Sequence, residues 1–66
     1  MRLTWTTLPN GDVLSVFEYQ GYGGPRDRFE LQLNDRRLIV DGEIIPRFNK
    51  ERTAREKFEK YQESLS

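Results

Sequence analysis

The sequence predicts an α+β fold: a four- to five-stranded antiparallel β-meander with one C-terminal α-helix packed on a sheet face. Apolar and polar residues alternate with a period of two along much of the first two thirds of the chain, and short turn signals separate these stretches. The apolar spacing then becomes helical near the C-terminus. With 66 residues, of which 35% are hydrophobic, the chain is expected to form a single domain over 1–66 with a small core.

The first two strands are predicted as a β-hairpin. Alternating threonine, tryptophan and leucine residues indicate a strand over about 2–8, and a second apolar stretch indicates its partner over 13–20. Asn10-Gly11 between them is a strong signal for a two-residue type I′ turn, because both central residues of that turn need a positive φ. With these two residues as the loop, Trp5 faces Val16, and the tryptophan is expected in the core.

The next strands follow through further short turns. Apolar residues alternate with polar ones over 28–34, which predicts a third strand. Asn34-Asp35 forms the next turn, and a short apolar run predicts a fourth strand over 37–41. Asp41-Gly42 is another tight-turn pair, so 43–45 is expected as a very short fifth strand that a proline then stops.

The C-terminal segment is predicted to be a helix over about 50–64, with Asn49 or Thr53 as its N-cap. A helix of this length is marginal alone, so its apolar stripe is expected to dock on the sheet. That stripe consists of residues at helical spacing: Ala54, Phe58, Tyr61 and Leu65. Four aromatic residues are assigned to the core by their positions: Trp5, Phe17, Phe29 and Phe58.

Composition and charge narrow the classes of function. The absence of cysteine and histidine removes thiolate and imidazole chemistry, and 66 residues seldom form the cleft that a pair of catalytic carboxylates needs. We therefore expect no enzyme activity, no bound metal and no cofactor. No apolar run approaches the ~18 residues of a membrane span, and no leader-like segment precedes the first strand, so a cytoplasmic protein without a membrane partner is expected.

The stretch between the second and third strands is the candidate binding loop. Interfaces concentrate their energy in tyrosine, tryptophan and arginine, and residues 21–27 exceed the two to five residues of an ordinary hairpin loop. The glycines do not form a G-x-G-x-x-G phosphate loop, because an arginine replaces the third glycine and a strand follows. A plain turn remains the alternative. The predicted partner-binding residues are Tyr19, Tyr22, Arg26, Arg28 and Arg47.

The resulting hypothesis is a small protein-binding module that acts stoichiometrically on a partner protein as a regulator, adaptor or inhibitor. The first alternative is a nucleic-acid-binding protein that uses the arginines of residues 26–52, although eleven basic and eleven acidic residues give a net charge of zero. The second alternative is a small structural subunit that forms a homo-oligomer through an edge strand. Whether the loop, the helix or a sheet edge carries binding stays open.

Overall fold

The computed structural model describes residues 1–20 and 28–66. In that part of the chain the elements are β1 (Arg2–Thr7), β2 (Val13–Glu18), β3 (Phe29–Leu33), β4 (Arg36–Arg37), β5 (Ile39–Val40), β6 (Glu43–Ile44) and α1 (Glu51–Ser64). Strands β1 to β4 form an antiparallel sheet in chain order, and β5 and β6 form a separate two-stranded sheet. Helix α1 packs across β2 and β3. The predicted α+β class, with a C-terminal helix on an antiparallel sheet, is confirmed.

The predicted fourth strand over 37–41 is wrong as a single element. Arg36–Arg37 pairs with β3, whereas Ile39–Val40 pairs with β6. The division follows from the hydrogen bonds of Leu38, whose N–H donates to Leu31 of the main sheet while its carbonyl accepts from Ile45. The fifth predicted strand therefore does not extend the meander but closes a small hairpin at its edge.

The first turn differs from the predicted type I′ turn. The Leu8 N–H donates to the Asp12 carbonyl at 2.7 Å, and the Gly11 N–H donates to the Leu8 carbonyl at 2.9 Å. The loop therefore has three residues, Pro9 to Gly11, and only its last residue, at φ 95°, is left-handed. Proline suits the first central position of a type I turn, and glycine suits the left-handed position that follows it, so these two residues decided the loop length.

One additional loop residue changes the register of the hairpin. Trp5 lies opposite Ser15, not opposite Val16 as predicted. Because successive side chains point to opposite faces, this single step moves Trp5 away from the core. The residue is 60% exposed, and its assignment to the core is wrong.

The core lies between the sheet and α1. Its buried apolar residues are Leu8, Leu14, Val16, Phe29, Leu31, Leu38, Ala54 and Phe58. The predicted helix stripe is confirmed, since Ala54 and Phe58 are buried and Tyr61 and Leu65 pack at the margin of the core. Phe29 and Phe58 occupy the core as predicted, whereas Phe17 is half-buried. Phe17 alternates with buried Val16 along β2, so its ring lies on the opposite face of the sheet.

The helix begins at Glu51, and Lys50 occupies the N-cap position without a side-chain hydrogen bond. The predicted caps Asn49 and Thr53 are therefore wrong. The backbone of Phe48 exchanges two hydrogen bonds with Phe29, at 2.9 and 2.8 Å, which keeps the chain extended up to that point.

Among the described residues, no helix has the length and apolar character that crossing a membrane requires.

The two later turns agree with their sequence signals. Asn34 and Asp35 have φ values of 52° and 67°, and Asp41 and Gly42 have values of 52° and 80°. Positive φ at both central residues is the requirement of a type I′ turn, which matches the right-handed twist of the adjoining strands. These turns place β4 beside β3 and β6 beside β5.

Candidate functional site

The sheet has a second face, on the side away from α1, where polar and aromatic side chains form two cross-strand rows. The first row runs from Trp5 on β1 through Ser15 and Gln32 to Arg37 on β4. In the second row, Glu30 and Arg47 lie opposite each other. The antiparallel bridge between Phe29 and Phe48 pairs the residues next to them in the chain. We define the open face as Arg2, Trp5, Ser15, Phe17, Tyr19, Glu30, Gln32, Arg37 and Arg47.

The centre of the open face is the carboxylate of Glu30, whose residue is only 3% exposed. Its Oε2 accepts hydrogen bonds from the Tyr19 hydroxyl at 3.0 Å and from Gln32 Nε2 at 2.7 Å. Its Oε1 accepts a hydrogen bond from Arg47 Nε at 2.9 Å, and Arg37 Nε lies 3.8 Å from the same oxygen. Both oxygens are therefore engaged, as a buried carboxylate requires.

These contacts determine the protonation of Glu30. Burial alone would raise the pKa of Glu30, because a charged group loses hydration. The hydrogen bonds from Gln32, Arg47 and Tyr19 and the charge of Arg47 outweigh burial and lower the pKa of Glu30 below its ordinary value of 4.5. Glu30 is consequently an anion at neutral pH, and its hydrogen-bond donors remain attached to it.

Tyr19 and Arg47, both predicted as partner-binding residues, meet at this carboxylate. The guanidinium carbon of Arg47 lies 5.0 Å from the centre of the Tyr19 ring, which is a cation–π contact. The Tyr19 ring also packs edge-on against Phe17, with 5.0 Å between the ring centres. Glu30, Arg47 and Tyr19 each contact the other two, so the three side chains hold one another in place.

The remaining predicted site residues have different positions. Arg28 Nε lies 2.8 Å from Glu18 Oε2, and its guanidinium lies near the ring of Phe29. Arg28 therefore pairs with a carboxylate other than Glu30. Tyr22 and Arg26, together with the rest of the candidate loop, lie outside the described residues.

Trp5 and Arg2 form the opposite end of the open face. The guanidinium carbon of Arg2 lies 5.6 Å from the centre of the Trp5 ring, and Arg2 Nη2 lies 2.6 Å from Asp35 Oδ1. An irregularity in the pairing of β1 between Arg2 and Thr4 brings Arg2 onto the same face as the tryptophan. Trp5 thus combines large exposure with a fixed cationic neighbour.

Sequence reasoning did not identify several of these residues as site residues. Glu30 and Gln32 alternate with the apolar residues of β3, and this signal was sufficient to place them on the face opposite the core. Trp5 could be placed only with the correct loop length. The open-face residues that were not among the predicted partner-binding residues are Arg2, Trp5, Ser15, Phe17, Glu30, Gln32 and Arg37.

Comparisons with known proteins leave the open face as the basis for assigning a function. No protein-family model matches the chain. Searches of curated proteins and of solved structures also found no significant match. The residues of the open face combine aromatic rings, arginines and one carboxylate whose two oxygens both accept hydrogen bonds.

Proposed function

We propose that this chain is a non-catalytic protein-binding module that holds its partner through the open face. It would act stoichiometrically as a small regulator, adaptor or inhibitor. The observation that carries the proposal is the 60% exposure of Trp5 on a face that also presents Tyr19 and Arg47. Tryptophan, tyrosine and arginine are the residue types that contribute most of the binding energy in protein interfaces.

The order of the open face supports this proposal. Glu30 fixes the positions of Tyr19 and Arg47 through hydrogen bonds of 3.0 and 2.9 Å. Side chains that are already fixed lose less conformational entropy when a partner binds, so more of the contact energy becomes affinity. The same hydrogen bonds occupy the carboxylate oxygens of Glu30, which favours a positioning role for Glu30 over proton transfer.

The charge of the open face favours a protein over a nucleic acid as the partner. Arg2 is paired with Asp35, and Arg47 is paired with Glu30, with Arg37 nearby. Three arginines and two carboxylates leave a formal charge of +1 on these five residues. A nucleic-acid interface needs several cations that are available to neutralise phosphates.

We place the proposed activity in the cytoplasm, because a chain without cysteine suits a reducing compartment.

The test is affinity capture from a lysate of the source cells, with and without nuclease, using three forms of the protein. These are the wild type, Trp5→Ala and the control Arg52→Ala, which alters a helix residue whose side chain is 90% exposed. We expect one protein to be captured in a fixed ratio by the wild type and by the control, to survive nuclease treatment and to be lost with Trp5→Ala.

Other results would contradict the proposal. A partner that Trp5→Ala captures as well as the wild type does would remove the open face as the binding surface. Capture that disappears with nuclease would favour the nucleic-acid alternative. A solution mass well above the 7.9 kDa of one chain, with no captured partner, would favour the structural-subunit alternative.

A further inference from the structure

We infer that the partner presents an acidic side chain, which the open face receives between Arg37 and Arg47. This inference rests on the proposed function and specifies the chemistry of the partner. Both guanidiniums lie near the same oxygen, Glu30 Oε1, at Nε distances of 3.8 and 2.9 Å. One carboxylate is therefore shared by two cations, and the group of three carries a formal charge of +1.

Both arginines retain hydrogen-bond donors for a partner. Arg47 donates its Nε–H to Glu30 and also contacts Tyr19, so at least three of its five N–H donors have no partner within the described part of the chain. Arg37, at 3.8 Å from Glu30, is beyond hydrogen-bond distance, and it donates no side-chain bond to residues 1–20 or 28–66. Their side chains are 38% and 36% exposed, so a group from outside can reach them.

The positions of the two arginines suit a carboxylate. Arg37 lies opposite Gln32, and Arg47 lies opposite Glu30 in the neighbouring row. Both guanidiniums therefore lie along the same edge of β3. The planar arginine fork binds carboxylates through two parallel N–H donors. A carboxylate from a partner has one negative charge, which neutralises the +1 of this group, whereas a phosphate dianion would leave an excess of negative charge beside buried Glu30.

The surroundings of the arginine pair indicate apolar contacts beside the acidic one. The β5–β6 hairpin connects Arg37 to the segment of Arg47, and it carries the cross-strand pair Ile39 and Ile44. Both isoleucines are more than half exposed. Trp5 lies at the other end of the Arg37 row. The chemistry expected of the partner is an acidic side chain with an aliphatic neighbour.

The test uses a short capped peptide, N-acetyl-Gly-Asp-Leu-Gly-amide, and its counterpart with Asn in place of Asp. Binding to the isotope-labelled protein is followed by NMR through backbone amides and the arginine Nε–H signals. We expect saturable shifts centred on Arg37 and Arg47 with the Asp peptide, and at least about tenfold weaker binding of the Asn peptide, because a charge-assisted hydrogen bond is lost. A higher salt concentration should weaken binding of the Asp peptide but not binding of the Asn peptide.

Variants separate this inference from a general charge effect. Arg37→Gln should weaken binding of the Asp peptide about tenfold. Arg37→Lys should recover part of the lost affinity, since lysine keeps the charge without the planar fork. Arg52→Gln removes an equal charge from the exposed face of the helix and should leave the affinity unchanged. The backbone amide spectrum of each variant shows whether its fold is intact.

Four results would overturn the inference. Equal affinity for the Asp and Asn peptides would exclude carboxylate recognition, and shifts centred on the helix would place the site elsewhere. A stronger response to inorganic phosphate than to the Asp peptide would exclude the preference for a carboxylate. If the captured partner depends on Trp5 but binds Arg37→Gln like the wild type, the proposed function stands and the acidic contact does not.

Discussion

The two faces of the sheet differ in how they are held together. On the helix-covered face, apolar residues such as Leu14, Val16 and Leu31 are buried against α1. On the open face, the buried side chains are Ser15 and the charged Glu30, which is held by hydrogen bonds and ion pairs, while Trp5 remains exposed. Alternation along the same strands separates the two environments. The comparison indicates that the helix-covered face supplies most of the stability, and the open face is the one that we propose for recognition.

The largest expected effect is the contrast between Phe58→Ala and Trp5→Ala. Phe58 is buried between the helix and the sheet, and its truncation leaves a cavity, so the free energy of unfolding should fall by about 3–5 kcal/mol. A domain of this size has only a few kcal/mol of net stability, so the variant should be largely unfolded. Trp5→Ala should cost less than about 1 kcal/mol.

Urea unfolding followed by circular dichroism measures both free energies. A loss with Trp5→Ala that approached the loss with Phe58→Ala would show that the tryptophan supports the fold, and the division between the two faces would then be incorrect.

The next effect concerns Glu30→Gln, which keeps the shape of the side chain and removes its charge. A glutamine offers one acceptor oxygen where the carboxylate offers two, so it cannot satisfy Tyr19, Gln32 and Arg47 together. We expect a loss of about 1–3 kcal/mol in the free energy of unfolding at neutral pH. Unfolding curves at neutral pH measure it, and an unchanged free energy would mean that the hydrogen bonds around Glu30 contribute nothing to stability.

The same substitution should change how stability depends on pH. Because the folded pKa of Glu30 is lowered below 4.5, the unfolded chain takes up its proton first as the pH falls. The stabilisation from Glu30 is therefore complete above its unfolded pKa and is lost as the pH drops through the lower folded value. The difference between wild type and Glu30→Gln should shrink between about pH 6 and about pH 3. A constant difference across this range would contradict the lowered pKa.

The smallest expected effect is a gain in stability from Ser15→Ala. Ser15 is fully buried on the open face, and its hydroxyl has no hydrogen-bond partner in the described part of the chain. Removing a buried hydroxyl without a partner should raise the free energy of unfolding by up to about 1 kcal/mol. A thermal melt measures the change. A clear loss of stability would show that this hydroxyl is satisfied in solution.

Local signals in the sequence were sufficient for most elements of the fold. The turns at Asn34-Asp35 and Asp41-Gly42 and the apolar stripe of α1 lie where their residue types predicted. The predicted register of the first hairpin was wrong because two loop lengths are compatible with Pro-Asn-Gly-Asp. The two lengths give strand pairings that differ by one residue. That step decided whether Trp5 belonged to the core or to the candidate site.

The sequence by itself determined the α+β class and the helix face that docks, because these depend on periodicity along a single segment. It also supplied Tyr19 and Arg47 as candidate site residues through their chemical type. Only the tertiary structure decided that Arg47, 17 residues after Glu30 in the chain, donates to that carboxylate beside Tyr19. Such contacts depend on strand register and on the bridge between Phe29 and Phe48, which packing of the whole chain selects.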